Sequence, residues 1–125
     1  MKTIDEQALY ANIVGHVPPE ISDRIRVGLR TDPKLTHMFE DLRLHVMQPD
    51  HLDPKTVQML LFAMMAAKLV GPPTRYHAVA AKMAGATEDE LYAVAGLALL
   101  AGGMRSYNTA GAAIAAAFDQ DSEQE

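Results

Sequence analysis

The chain has 125 residues, 49% of them hydrophobic, which is enough for one domain with one core and too few for two. Its formal charge of -5 comes largely from the end: Asp119, Asp121, Glu123 and Glu125 are four of the 16 acids, and without them 12 acids face 11 bases. So neutral a body excludes the electrostatic footprint of a nucleic-acid binder, and zero cysteines exclude disulfides, thiolate metal sites and dithiol redox chemistry.

The opening M-K-T-I-D-E-Q carries early acids and no apolar stretch of the roughly 7–15 residues that a secretory signal needs, so a cytoplasmic location is expected. Thr3 and Glu6 have capping-box spacing before a helix bearing Ile4, Leu9, Ile13 and Val14, which Gly15 and Pro18-Pro19 end. A second helix is predicted from about Pro19 to Arg30, with Ile21, Ile25 and Leu29 as its stripe. Asp32-Pro33 supplies an N-cap and a first-turn proline for the third, which should turn Leu35, Met38, Phe39, Leu42 and Val46 inward.

Asp53-Pro54 repeats that opening for a fourth helix, about Pro54 to Val70, apolar all round from Met59 to Ala67 and therefore expected at the centre. After the break G71-P72-P73, Thr74 reads as the N-cap of a fifth helix that Gly85 stops, which puts His77 in its first turn. Thr87 and Glu90 form a second capping-box pattern, opening a sixth helix that runs to about Ala101 before Gly102-Gly103. The seventh, about Ser106 to Phe118, is dominated by alanine.

The reading is all-α: one helical domain over residues 1–118 and an acidic, disordered tail over 119–125. The longest uncharged runs, Thr56–Ala67 and Leu91–Met104, fall short of the ~20 apolar residues that span a bilayer, so no membrane partner is expected. An alanine face buries little apolar area per residue, which predicts a homo-oligomer.

His77 is the leading catalytic candidate. A first-turn imidazole feels the positive end of the helix dipole and stays neutral, able to donate or accept a proton. By position alone the residues also allow a hydrogen-bonded core histidine packed beside Ala81 and Ala84. Gln58, one turn into the fourth helix, reads either as an orienting hydrogen bonder or as a partly exposed polar residue. Met64, Met65 and Met83 read as core or as adaptable pocket lining. His37, Asp41 and His45 recur at i, i+4 and i+8, but the outer two lie about 12 Å apart along the axis, which favours a solvated face over a metal site.

From Leu52 to Asn108 the order of signals resembles the carboxymuconolactone decarboxylase and alkylhydroperoxidase D-like family. The matching pieces are L52-D53-P54-K55-T56 before an apolar helix, Y76-H77, A84-G85-A86-T87-E88-D89-E90-L91, and G102-G103 with Asn108 beyond; F39-E40-D41-L42 extends the match upstream. The resemblance implies an AhpD-like fold of six to seven helices with a central antiparallel hairpin, assembled as a homotrimer or homohexamer. The family's peroxidase branch has a C-x-x-C pair where Val70 and Pro73 stand, and a glutamate at the position of Gln58. Without the attacking thiolate, peroxidase activity is excluded.

The cysteine-free decarboxylase branch remains, and it implies a cofactor-free and metal-free carboxy-lyase acting on a small carboxylated lactone or unsaturated acid. Loss of carbon dioxide would leave a dienolate, with His77 as proton donor or acceptor and His77, Asn108 and Tyr107 as the catalytic set. Arg75 and Arg105 would hold a retained carboxylate, with Gln58 as a further substrate-binding candidate. An isomerase or dehydratase using the same pocket, and a non-catalytic oligomeric binding protein, are the alternatives.

Overall fold

The computed structural model describes residues 19–122, and the first predicted helix lies outside them. Six helices and no strand occur among the described residues: α1 (Pro19–Thr31), α2 (Pro33–Met47), α3 (Pro54–Ala67), α4 (Gly71–Met83), α5 (Glu88–Gly102) and α6 (Met104–Ser122). None is long and apolar enough to cross a membrane. The chain divides into two compact units, with the boundary between Leu52 and Asp53.

In the first unit α1 and α2 are joined through Asp32, whose Oδ1 accepts from Leu35 N at 3.0 Å as the predicted N-cap. Thr36 packs against Gly28, where a Cβ would fall 2.3 Å from Thr36 Oγ1. The facing of α2 reverses the sequence expectation. Leu35, Met38, Phe39, Leu42 and Val46 are all exposed, while Thr36 and Glu40 are buried. The cause is a partner from the preceding helix: Arg24 Nη2 donates to Glu40 Oε1 at 2.8 Å, and Arg43 Nε donates to Glu40 Oε2 at 3.0 Å. A buried carboxylate needs such partners, and satisfying them sets which side of α2 faces inward.

The second unit holds α3 to α6. A three-residue linker, Lys68–Val70, folds α3 and α4 into an antiparallel hairpin. α3 ends in a Schellman motif, with Val70 N donating to Met65 O at 3.2 Å and Leu69 N to Ala66 O at 3.0 Å; Leu69 holds the left-handed position at φ 63°. α4 ends in the same motif around Gly85, at φ 105°, with Ala86 N on Ala81 O at 2.9 Å. The Thr87–Glu90 capping box is fully formed at the start of α5. Both oxygens of Glu90 are used: Oε1 accepts from Thr87 N at 3.0 Å and Oε2 from Lys55 Nζ at 2.9 Å, which ties α5 to the first turn of α3.

The core of this unit is Phe62 and Leu91 set among alanines from every helix, including Ala66, Ala78, Ala81, Ala95, Ala98, Ala110 and Ala113. Side chains this small let the helices approach closely, which helix-forming alanine achieves at no cost in helical propensity. α3 packs against α4, α5 and α6 and is central to its unit, but Leu60 and Met64 remain exposed on its outer side. α6 runs to Ser122, beyond the predicted end at Phe118.

Candidate active site

α4 begins three residues before Thr74. Val70 is its N-cap, and Gly71, Pro72 and Pro73 form its first turn. Proline has no N–H to leave unpaired there and its fixed φ suits a helix, so the pair starts the helix instead of separating two. Thr74, expected as the N-cap, is buried inside the helix and its Oγ1 donates to Val70 O at 2.7 Å. His77 therefore stands in the second turn, where the dipole and the unpaired amides no longer act on it, and the argument for neutrality from a first-turn position does not apply.

A specific side chain takes over that role. Gln58 on α3 is 4% exposed, and its Oε1 lies 2.8 Å from Nδ1 of the half-buried His77. An amide oxygen can only accept, so with Oε1 against the ring it is Nδ1–H that donates. Gln58 is thus buried and in contact with the imidazole. The antiparallel hairpin makes the contact, bringing the early turns of α3 alongside the second turn of α4.

A second polar pair joins α5 to α6. The hydroxyls of Tyr92 and Tyr107 are hydrogen bonded, with ring centroids 5.8 Å apart. The bond to Tyr92 raises the Tyr107 phenol above its ordinary value of 10.0. Tyr107, predicted as a catalytic donor, thus shares a hydrogen bond with Tyr92 in which either hydroxyl can donate, leaving the other free to turn outward. No spacing in the sequence links positions 92 and 107; only the packing of α5 on α6 does.

Arg75, Arg105 and Asn108 are exposed. Arg75 is two residues from His77, about 200° around the helix at 3.6 residues per turn, so the two do not share a face. Arg105 and Asn108 are three apart and do share one. Met64 and Met83 are exposed and Met65 is half-buried, so the three do not form one lining. Among the described residues no three His, Cys, Asp or Glu side chains cluster to hold a metal, His37, Asp41 and His45 included. His45 instead joins Val46, Asp50 and His51 around an open hollow of about 570 Å³ in the first unit.

The model of the carboxymuconolactone decarboxylase family matches residues 33–117, a span that contains both the Gln58–His77 and the Tyr92–Tyr107 pairs. No curated protein matches the chain. Among solved structures, a candidate carboxymuconolactone decarboxylase from Burkholderia xenovorans LB400 superposes with a TM-score of 0.78 at 19% identity, over 95% of this chain and 90% of that one. At that identity the likeness speaks for the AhpD-like fold. The family match covers well over half of the sequence, and the chain belongs to the carboxymuconolactone decarboxylase family.

Proposed function

We propose that the protein is a cofactor-free carboxy-lyase acting on a small lactone that bears carboxylates, with His77 as the proton carrier. The Gln58–His77 pair carries this reading: a buried amide that accepts a hydrogen bond from one ring nitrogen fixes the orientation of an imidazole able to carry a proton. When carbon dioxide leaves, the electrons of the broken C–C bond spread over the unsaturated lactone as a dienolate. Protonated His77 then delivers the Nε2 proton to carbon, and solvent restores it. Gln58 accepts a hydrogen bond from Nδ1–H in both charge states, so the ring need not turn during the cycle.

Donors for the dienolate oxygen are Asn108 and the Tyr92–Tyr107 pair, each good donor lowering such a barrier by roughly 3–4 kcal/mol. Arg75 lies on another side of α4 from His77, so a retained carboxylate is held by Arg105 or by an arginine of a second copy. Self-assembly as a trimer or hexamer would supply the latter.

The amide at position 58 also favours a second reading. It gives the imidazolium no counter-charge, and a neutral ring with its lone pair on Nε2 suits proton abstraction, the first step of an isomerase on the same lactone class. The two readings differ in the sign of their pH dependence. Decarboxylation needs the protonated ring and slows as pH rises through the titration of His77, whereas isomerisation accelerates.

A panel of carboxylated lactones assayed for released carbon dioxide and for double-bond migration tests both. His77→Ala is expected to reduce turnover by roughly 10²–10⁴-fold with the helical circular dichroism unchanged. An unaltered rate would remove His77 from the mechanism. The absence of turnover across the panel would leave the scaffold as a binding protein.

A further inference from the structure

The side of α2 that faces solvent is the apolar one. Leu35, Phe39, Leu42 and Val46 are 61%, 46%, 60% and 62% exposed, and Met38 beside them is 60% exposed. This inversion is locked. Glu40, on a different face, is fully buried and held by Arg24 and Arg43. Rolling the helix to bury its stripe would pull that carboxylate away from Arg24 and strand a buried charge, among the costliest changes a fold can make. A stripe that cannot turn inward is available for a partner.

The spacing of the stripe says which partner. Leu35, Phe39, Leu42 and Val46 follow one another in steps of four, three and four, a seam that one helix presents to another and that reads identically in both directions. Two copies of α2 laid antiparallel about a two-fold axis between Glu40 and Asp41 meet in register. Leu35 falls on Val46 of the second copy, and Phe39 falls on Leu42. An isologous contact requires this self-complementarity, whereas an unrelated helix would not. The stripe is flanked by Met38, His45, Lys34 and Asp41 on one side and by Arg43 on the other, and Arg24 lies 5.2 Å over the Phe39 ring.

We propose that α2 is a two-fold self-association site, packing antiparallel on α2 of a second copy. The stripe offers on the order of 500 Å² of apolar surface per copy, the scale of a functional patch. A stable contact takes about 800 Å² per partner, so the helix pair forms its apolar centre and the neighbouring turns its rim. The inference rests on the self-assembly part of the reading above and sharpens it: a two-fold contact is met in a hexamer but not in a lone trimer.

Light scattering on the full chain should give an even number of copies. Replacing the centre of the seam, Phe39→Glu with Leu42→Glu, should halve the mass while leaving helical circular dichroism unchanged. Because the native chain lacks cysteine, a variant carrying Leu35→Cys and Val46→Cys should oxidise to a covalent dimer that stops at two chains on a denaturing gel. Leu35→Cys alone should not cross-link, since the two copies of position 35 would lie about 16 Å apart along the paired helices, beyond disulfide reach. The cysteine pair decides the matter if the glutamate variant unfolds. An odd-numbered assembly, a mass unmoved by the glutamates, or equal cross-linking by Leu35→Cys alone would overturn this face while leaving self-assembly standing; a monomer would overturn both.

Discussion

Gln58 Oε1 accepts the Nδ1 proton of His77 at 2.8 Å without offering the ring a charge. Gln58→Glu would place an anion there and favour the imidazolium, so the ring should stay protonated to higher pH than in the native chain. Imidazole resonances in a pH series should show the rise, and proton delivery to a dienolate should persist to correspondingly higher pH. Gln58→Met, of similar size, would leave a buried N–H unpaired and cost about 1–3 kcal/mol in urea unfolding.

Gly102 and Ser106 are in closer contact than any side chain at position 102 permits. A Cβ on Gly102 would lie 2.2 Å from Ser106 Oγ and 2.9 Å from its Cβ. Gly102→Ala is therefore expected to destabilise by about 1–3 kcal/mol through overpacking. Ser106 Oγ is itself buried without a hydrogen-bond partner. Removing it in Ser106→Ala should raise the melting temperature, by the equivalent of about 1 kcal/mol.

The two Schellman motifs differ at one residue, Gly85 in one and Leu69 in the other, both at positive φ. A side chain in the left-handed region costs about 1–2 kcal/mol, part of which glycine returns as freedom in the unfolded chain. Leu69→Gly should accordingly stabilise by about 0.5–1 kcal/mol. Gly85→Ala should destabilise by a similar amount, so the pair measured by chemical denaturation provides its own control.

Lys55 and Glu90 bound the pH range over which the second unit is most stable. The bond to Lys55, and then that to the Thr87 amide, hold Glu90 below its ordinary 4.5, while Glu90 holds Lys55 above its ordinary 10.5. A depressed acid contributes stability above its unfolded value that is lost as pH falls through the folded one; a raised base contributes below its unfolded value and loses it as pH rises. Asp53, lowered from 3.8 by the Thr56 amide, adds to the acid limb. The melting temperature should be flat with respect to these groups between about pH 4.5 and 10.5 and fall on both sides. Glu90→Gln, which keeps an oxygen for the cap but loses the ion pair, should flatten both limbs.

The helix ends were legible wherever the signal is local. Asp32-Pro33, Asp53-Pro54, the Thr87–Glu90 box and the stop at Gly85 each depend on residues within one turn of one another, and each forms as read. The prolines at 72 and 73 were ambiguous because the same ring that breaks a helix interior suits a helix start. Periodicity located the stripe of α2 but not which way it faces, since the partner of the buried Glu40 lies sixteen residues away in Arg24. His77 and Gln58 each stood out in the sequence as separate candidates, but their contact did not, because it depends on the packing of α3 against α4, just as the Tyr92 partner of Tyr107 depends on the packing of α5 against α6.

A core assembled from single methyl groups has an asymmetric tolerance to mutation. Truncating Ala78, Ala95 or Ala113 to glycine removes one small group, whereas enlarging any of them forces apart backbones already in near contact. Drift at these sites is thus confined to the few smallest residues. The distance between α3 and α4, and with it the reach of the buried amide to the imidazole, is held by the absence of bulk.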